Sequence, residues 1–321
     1  MKRFVAAVAL ALCASPALAQ GYPSRPVVVV VPFAAGGPTD VIARTLAEPM
    51  RVVLGQPVVI ENVTGANGNV GVGRVARAAP DGHTIGIGHW STHVVNGAVY
   101  PLPYDLLRDF EPISLISTNS YLIVAKNAFP AGDLKSFIAW LQANPDKASE
   151  GTAGAGSPQH VSGVFFQKAT GTRFQFVPYR GAAPAMQDLL AGHIDMIIDD
   201  PTSSLPQVRA GRIKAFAVTS KTRLAAAPDI PTVDEAGLPG FYFSRWHALW
   251  APKGTPREAI AKLNAGVVAA LADAGVRAKL ADLGQDIFPR AQQTPEALGA
   301  MHKAEIEKWW PIIKAAEIKV Q

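Results

Sequence analysis

Cysteine is almost absent from this 321-residue chain, and its one cysteine, Cys13, lies within the first twenty residues. Those residues resemble a secretory signal, with a basic start, an apolar stretch over residues 4–13 and the small-x-small site Ala17-Leu18-Ala19. We therefore predict a signal peptide over residues 1–19, which is too short to stay as a membrane anchor. A lipid anchor on Cys13 is the less favoured alternative, because Leu12 stands where a small residue is expected. The exported chain would then contain no thiol, which excludes disulfides, a cysteine nucleophile and thiolate metal sites.

Charge is also sparse, since charged residues make up 17% of the chain. The formal net charge of +5 falls to +3 without Lys2 and Arg3. No run or stripe of lysine and arginine occurs, so we predict no nucleic-acid partner. The mild positive excess suits an anionic small molecule, although solubility alone would explain it equally well. No apolar run beyond the leader is long enough to span a bilayer.

From Tyr22 onward, strand patterns alternate with helix patterns. Val27–Val31 is a continuous β-branched run, which is typical of a strand buried on both faces of a parallel sheet. A second buried run, Ile194–Ile198, follows after several helical segments. This alternation predicts an α/β fold in which mostly parallel sheets are flanked by helices.

The chain is too long for one open sheet of this kind, so we predict two lobes. The expected crossings between them lie near residues 117–125 and within residues 220–246. Lobe 1 would then comprise residues 20–120 and 233–321, and lobe 2 would comprise residues 121–232.

Two glycine-rich turns have the same plan. Ala34–Asp40 follows the first strand, Gly154–His160 follows a later one, and each leads into a helix that starts with proline, at Pro38 and at Pro158. The free N–H groups at such a helix start carry partial positive charge and attract anions. Two such turns in one chain predict a carboxylate held from both sides.

These segments, and others in the same order, resemble the Bug-type solute-binding proteins, which are periplasmic receptors of tripartite tricarboxylate transporters. The resemblance covers essentially the whole mature chain. The matching segments are 22–40, 54–62, 79–82, 107–110, 156–160, 177–181, 194–196, 217–220 and 251–256.

The resemblance implies a two-lobed type II periplasmic binding protein, or Venus flytrap, that is not an enzyme and needs no cofactor or metal. It would capture a small carboxylate, either a di- or tricarboxylate or an aromatic acid, and deliver it to membrane transporter subunits. Backbone N–H groups of the two strand–turn–helix elements would hold the carboxylate, partly through water.

Carried over to this sequence, the resemblance places ligand-binding residues in the two strand–turn–helix elements and at four further positions. The first element contributes Phe33, Ala34, Ala35, Gly36, Gly37, Thr39 and Asp40. The second contributes Thr152, Gly154, Gly156, Ser157 and His160, and further positions near the family's binding site are Tyr179, Arg180, Gly181 and Asp199.

The sequence departs from the family pattern after strand 84–88, where small residues usually stand. Here the segment is His89-Trp90-Ser91-Thr92, and we predict that it lines the far end of the site. Trp90 would stack on an aromatic ligand, and the hydroxyls would bind a second carboxylate. The glycine-rich segment 65–73 predicts a flexible loop that shapes the rim of the cleft, and its Asn67 is a further predicted ligand donor. That segment does not match a dinucleotide-binding motif.

Arg180 is the predicted side-chain cation, because its guanidinium can bind both carboxylate oxygens. The alternative for Arg180 is a salt bridge with Asp199 or Asp200. Ser157 and His160 also allow a second interpretation, as nucleophile and base of an exported α/β hydrolase. Against it, no third orienting group and no Gly-x-Ser-x-Gly turn is present.

Two further interpretations are weaker. The spacing of His89 and His93, with His83 nearby, is compatible with a metal site, but ordinary histidines on the surface or in the binding pocket explain it better. The ligand-sensing half of a transcription regulator would share the fold, but the sequence contains no helix-turn-helix segment.

Overall fold

The computed structural model describes residues 21–316 and residue 318, which it arranges in two sheets flanked by helices. The predicted signal peptide and its Cys13 lie outside the described residues. The first sheet has six strands in the spatial order β11-β4-β10-β3-β1-β2. Its strands are β1 (Val27–Val31), β2 (Val58–Asn62), β3 (Thr84–His89), β4 (Phe110–Ser120), β10 (Ser244–Pro252) and β11 (Asp286–Ile287).

The second sheet has five strands in the order β7-β6-β8-β5-β9 and uses only the middle of the chain. Its strands are β5 (Leu122–Lys126), β6 (Ser149–Thr152), β7 (Gln175–Pro178), β8 (Met196–Asp199) and β9 (Ile213–Val218). The predicted α/β class is therefore confirmed, with one sheet in each half of the molecule.

Ten α-helices connect or cover these strands in the described part of the chain. They are α1 (Pro38–Leu54), α2 (Asn69–Ala76), α3 (Asn96–Val99), α4 (Leu134–Ala143), α5 (Pro158–Thr170), α6 (Ala182–Ala191), α7 (Pro201–Arg209), α8 (Arg257–Ala272), α9 (Ala274–Asp282) and α10 (Pro295–Ala315). Among the described residues, no single helix has the length and apolar character to cross a membrane. Only α8 and α9 together, bent by 70°, meet that criterion.

Both sheets are mixed, whereas the sequence predicted mostly parallel ones. β1 pairs in parallel with β2 and β3, but β10 is antiparallel to β3 and β4. In the second sheet β6 is parallel to β7 and β8, while β5 is antiparallel to β8 and β9. The antiparallel strands β5 and β10 enter their sheets directly from the other sheet. No crossover helix links them to their neighbours, so nothing constrains them to the parallel direction.

The valine run of β1 is buried on both faces, as the sequence predicted. Val27, Val29 and Val31 belong to an apolar cluster with residues of α1 and α8. Val30 belongs to a second cluster on the opposite face, with residues of α2 and α10. A β-branched residue at every position therefore fills two cores at once.

The chain passes between the sheets at two neighbouring places. It leaves the first sheet at Tyr121 and returns between Val218 and Ser244. Thr219 joins the two passages, because its hydroxyl donates to Phe243 O over 2.7 Å and accepts from Tyr121 N over 2.8 Å. These two adjacent passages have the arrangement of a hinge. The exact lobe boundaries, 20–120 with 233–321 and 121–232, stay a prediction.

Candidate functional site

A cavity of about 270 Å³ lies between the carboxyl ends of parallel strands from both sheets. The first half of the molecule contributes segments that follow β1, β2 and α3: Phe33, Gly65, Ala66, Asn67, Gly68 and Tyr100. The second half contributes segments that follow β6 and β7, together with α5: Thr152, Ala153, Gly154, Ala155, His160, Phe176, Pro178, Tyr179 and Arg180.

The second glycine turn faces this cavity. Ser157 caps helix α5, since its hydroxyl accepts from His160 N over 3.3 Å. The N–H of Gly156 donates to Nδ1 of His160 over 3.1 Å. The N–H groups of Ala153 and Ala155 donate to no acceptor within the described residues. Their lining position leaves them available to a ligand.

The His160 ring completes this side of the cavity. Burial lowers the pKa of His160 to about 4, so the ring is neutral at physiological pH. Because Nδ1 accepts the Gly156 N–H, the ring proton resides on Nε2, which makes this atom a donor. Phe176 contacts the ring edge-on at 4.6 Å between centroids. His160 therefore offers an N–H to the cavity without a charge.

The same geometry contradicts the nucleophile role considered for Ser157. Its side chain is fully buried, does not line the cavity, and is engaged as the helix cap. His160 Nδ1 is occupied by Gly156 N, and no Ser157–His160 side-chain hydrogen bond is formed in the described structure. The two residues act as parts of a turn, and no nucleophile–base pair results.

The first glycine turn does not face the cavity as predicted. The N–H of Gly36 donates to the carboxylate of Asp40 over 2.8 Å, which supplies an internal anion. Burial alone would raise the pKa of Asp40, but hydrogen bonds from Arg44, Gly36 and Asn62 outweigh burial and lower it. Asp40 therefore stays ionised and already occupies the amide that a ligand would need.

The remaining residues of the first element also lie outside the lining, apart from Phe33. Ala35 and Gly36 are exposed to solvent. Thr39 is buried, and its hydroxyl lies 3.3 Å from His247 Nε2. The predicted ligand roles of Ala34, Ala35, Gly36, Gly37, Thr39 and Asp40 are therefore not met by direct lining of the cavity.

The tip of the first turn contacts the other half of the molecule. A Cβ placed on Gly181 would lie 3.2 Å from Ala34 N, and one placed on Gly37 would lie 3.8 Å from Ala183 N. Across the cavity, the Tyr100 hydroxyl donates to Ala155 O over 2.7 Å. The two halves thus touch on both sides of the cavity. Ala34, Gly37 and Gly181 belong to this contact.

The segment after β3 turns into the protein core, contrary to the prediction. The imidazole of His89 stacks on Phe33 with 4.9 Å between centroids, which places it behind the cavity wall. Trp90 is only 1% exposed and packs edge-on against Phe243 and Trp309. A wide turn of π type over Ser91–Val95 carries the chain inward. Trp90 is therefore a core residue, and it does not line the cavity.

The hydroxyl groups of this segment are likewise engaged within the protein. Thr92 Oγ1 donates to His89 O over 3.0 Å, and Ser91 Oγ accepts from the Asn67 side chain over 2.9 Å. Neither hydroxyl lines the cavity. The second carboxylate site at Ser91 and Thr92 stays a prediction, and these internal contacts do not support it.

Asn67 does line the cavity, but its side-chain N–H groups are not available. Nδ2 donates to Ser91 Oγ over 2.9 Å and to Asn96 Oδ1 over 2.8 Å. The backbone N–H of Asn67 donates to no acceptor within the described residues. The side chain of Asn67 is thus engaged within the protein, and its backbone N–H is the donor left without a partner in the described part of the chain.

Arg180 lines the cavity and forms neither of the salt bridges considered for it. Asp200 pairs with the buried Arg245 over 2.6 Å, and Asp199 accepts from Ser203 Oγ over 2.7 Å. Among the described residues, Arg180 is the one arginine or lysine in the cavity lining, and it has no acidic partner there. It is the side-chain cation available to a ligand carboxylate.

Asp199 and Tyr179 have structural partners. Asp199 is buried beneath the turn, accepts from Gln159 Nε2 over 3.3 Å, and does not line the cavity. Burial raises the pKa of Asp199 to about 7. Tyr179 does line the cavity, but its hydroxyl donates to Asp188 over 2.6 Å. Its ring presents an apolar face to a ligand.

The three histidines weighed as metal ligands have separate ring partners. The ring of His83 contacts Tyr22 edge-on, that of His89 stacks on Phe33, and that of His93 stacks on Trp250 at 3.6 Å between centroids. No group of metal-ligating side chains occurs among the described residues. These rings fill the core.

Sequence reasoning missed part of the lining. Eight lining residues were outside the predicted set: Gly65, Ala66, Gly68, Tyr100, Ala153, Ala155, Phe176 and Pro178. For the first three, the row of glycines in segment 65–73 predicted a loop at the rim of the cleft, but only Asn67 was singled out there as a ligand donor.

Comparison with known proteins assigns this architecture to a family. The family model of the tripartite tricarboxylate transporter family receptor, TctC, matches residues 42–318. The chain belongs to the TctC receptor family. Among curated TctC relatives, Protein BugT of Bordetella pertussis is 34% identical over 98% of this chain and 96% of its own length. The predicted family resemblance is confirmed, and members of such a family bind solutes and are not enzymes.

Solved structures agree with this TctC assignment. The periplasmic binding protein BugD is 41% identical with a TM-score of 0.90, over 94% of this chain and 100% of its own. MatC from Rhodopseudomonas palustris, solved with bound malate, is 40% identical with a TM-score of 0.87, over 91% and 100%. Another Rhodopseudomonas palustris protein, solved with adipate, is 34% identical with a TM-score of 0.88, over 93% and 100%. The two-lobed fold of periplasmic binding proteins is confirmed.

Proposed function

We propose that this TctC receptor is exported to the periplasm by a cleaved signal peptide and binds a small mono- or dicarboxylate between its two lobes. It then presents the carboxylate to the membrane subunits of a tripartite tricarboxylate transporter. One observation carries the proposal. Unpaired N–H groups of Ala153 and Ala155, a neutral His160 and an unpaired Arg180 all line one cavity.

The chemistry of the lining selects for an anion with an apolar middle. N–H donors at the second turn suit one carboxylate group, and hydrogen bonds to a charged group are each worth about 1.5–3 kcal/mol. The faces of Phe33, Phe176 and Tyr179 suit a short hydrocarbon segment. Arg180 suits a second carboxylate. A tricarboxylate would carry a third charge that neither the N–H donors of the second turn nor Arg180 could meet among the described lining residues.

The similar proteins support the size of the ligand. One was solved with malate and another with adipate, which are dicarboxylates. A cavity of about 270 Å³ can enclose molecules of this size. The contacts that Tyr100 and Ala34 make across the cavity correspond to closed lobes, so a bound carboxylate would shift an open–closed equilibrium toward this form.

Isothermal titration calorimetry of the mature protein tests the proposal. We expect malate or adipate to bind one to one, whereas adipamide, the uncharged diamide of adipate, does not bind. Arg180→Gln should weaken dicarboxylate binding about three- to tenfold and leave a monocarboxylate such as butyrate nearly unaffected. Chemical turnover of the captured acid, or equal affinity for adipamide, would contradict a carboxylate receptor.

A further inference from the structure

We propose that the loop Gly65–Gly68 contributes a second set of ligand-binding N–H groups, and that the buried Asn96 is the residue that positions them. The inference rests on the proposed function, because it concerns the same cavity. It assigns a ligand-binding role to main-chain atoms of Ala66 and Asn67, and a positioning role to a side chain that does not touch the ligand.

The backbone of this loop has an unusual conformation. Ala66 and Asn67 have φ values of 46° and 49°, and the flanking Gly65 and Gly68 have φ values of 135° and 87°. Asparagine tolerates such left-handed values, but alanine adopts them rarely, so the surrounding structure must support the conformation of Ala66; strain of this kind collects at functional sites. The loop is therefore held in its shape by contacts elsewhere.

The loop presents its N–H groups where a ligand would lie. Gly65, Ala66, Asn67 and Gly68 all line the cavity, and the N–H groups of Ala66 and Asn67 donate to no acceptor within the described residues. Asn67 N lies 3.9 Å from the position a Cβ on Gly154 would take, so the loop faces the second turn across the cavity. A carboxylate in between can accept N–H groups from both halves of the molecule.

Asn96 fixes the position of this loop through hydrogen bonds on the side that faces away from the cavity. Its Nδ2 donates to the main-chain O of Asn67 over 3.0 Å and to Asn69 Oδ1 over 2.6 Å. Its Oδ1 accepts from Asn67 Nδ2 over 2.8 Å. A main-chain carbonyl can only accept, which fixes the orientation of the Asn96 amide and therefore also that of Asn67. Asn96 is fully buried, so water cannot easily replace these bonds.

Close packing allows the loop no alternative position. A Cβ on Gly68 would lie 2.8 Å from Thr92 Cγ2, and one on Gly71 would lie 2.7 Å from Val63 O. These glycines let the loop and the start of α2 approach the end of β1 closely. The glycines of this segment are therefore needed for close packing. Asn96 adds the polar contacts, which packing alone does not supply.

The experiment compares Asn96→Leu with a matched control, Asn264→Leu. Asn264 also lies in the first half of the molecule, and its Nδ2 donates to two main-chain oxygens, Ile113 O and Gln293 O, over 2.9 and 2.8 Å. Malate and adipate are the probes, with affinity from calorimetry and melting temperature from circular dichroism. We expect both variants to melt lower, but only Asn96→Leu to lose about tenfold or more in affinity.

A second variant covers the case in which Asn96→Leu does not fold. Asn67→Gly keeps the backbone N–H and tolerates φ near 49° without strain, but it removes both side-chain bonds that hold the loop. We expect it to fold and to bind about three- to tenfold more weakly. In the wild type, NMR should show the amide protons of Ala66 and Asn67 shifting downfield when malate or adipate binds, which a purely structural role would not cause.

The outcomes separate this inference from the proposed function. If the wild type binds neither probe, the proposed function is overturned and the inference with it. If the wild type binds but Asn67→Gly and any folded Asn96→Leu bind within twofold of it, only the inference is overturned. Unshifted Ala66 and Asn67 amide protons in a saturated wild type would overturn it equally.

Discussion

The two glycine turns of this TctC receptor have the same hydrogen-bond pattern and differ in the charge of the side chain that accepts the bond. In the first turn, Gly36 N–H donates to residue 40, four positions along; in the second, Gly156 N–H donates to residue 160, also four positions along. The first acceptor is the carboxylate of Asp40 and the second is the neutral imidazole of His160. Both helices begin with proline after the turn.

The charge of the side chain that accepts the turn N–H determines which turn is available to a ligand. Asp40 places a negative charge at the positive end of α1, so that helix start is already neutralised. The start of α5 has no such charge, and its turn lines the cavity. Similar sequence patterns thus serve different purposes, because a single side chain in the first helical turn decides whether an external anion is needed.

Adding a negative charge at the second turn should give the largest change in ligand affinity. His160→Asp would place a carboxylate beside the ligand carboxylate, and like charges at close range are strongly unfavourable. We expect at least about a hundredfold loss of adipate affinity by calorimetry. His160→Asn is the control, because its Oδ1 can still accept from Gly156 N, and it should lose about tenfold at most. Equal losses in the two variants would argue against a carboxylate at this turn.

Removing the charge at the first turn should affect stability more than binding. Asp40→Asn loses the ion pair with Arg44 and the favourable interaction with the start of α1. We expect urea denaturation to show a loss of about 1 kcal/mol, while adipate affinity stays within threefold. A large affinity loss in a folded Asp40→Asn would mean that the first turn also binds the ligand.

The smallest expected effect concerns the pH range over which each turn loses its contribution to the stability of the protein. His160 has a pKa lowered from 6.5 to about 4, so the unfolded chain takes up its proton first, and stability falls as the pH drops from about 6.5 toward 4. Asp40 has a pKa lowered from 3.8, so its contribution is lost only below about pH 3.8. Urea midpoints of His160→Asn should fall less steeply than wild type between pH 6.5 and 4, whereas those of Asp40→Asn should parallel wild type there. Parallel curves for all three proteins would contradict the assignment for His160.

Local sequence patterns predicted most of the fold. The run Val27–Val31 predicted a strand buried on both faces, and proline after each glycine turn correctly marked the starts of α1 and α5. The antiparallel placement of β5 and β10 was not readable, because it depends on where the chain crosses between sheets. No local periodicity encodes that choice.

The site was harder to predict because side-chain partners distant in sequence decide it. Asn67 was a reasonable ligand donor until Asn96, 29 positions further on, engaged its amide group. Trp90 was predicted to stack on a ligand at the far end of the site, but a turn of π type directs it into the core against Phe243 and Trp309. Only the folded chain shows which polar groups are already satisfied.

The two passages of the chain between its sheets also affect the order in which the protein can assemble. The second sheet is complete once β9 has been synthesised, since its five strands are consecutive. The first sheet lacks the strand between β3 and β4 until β10 emerges, so its apolar faces stay unmatched for more than a hundred residues of synthesis.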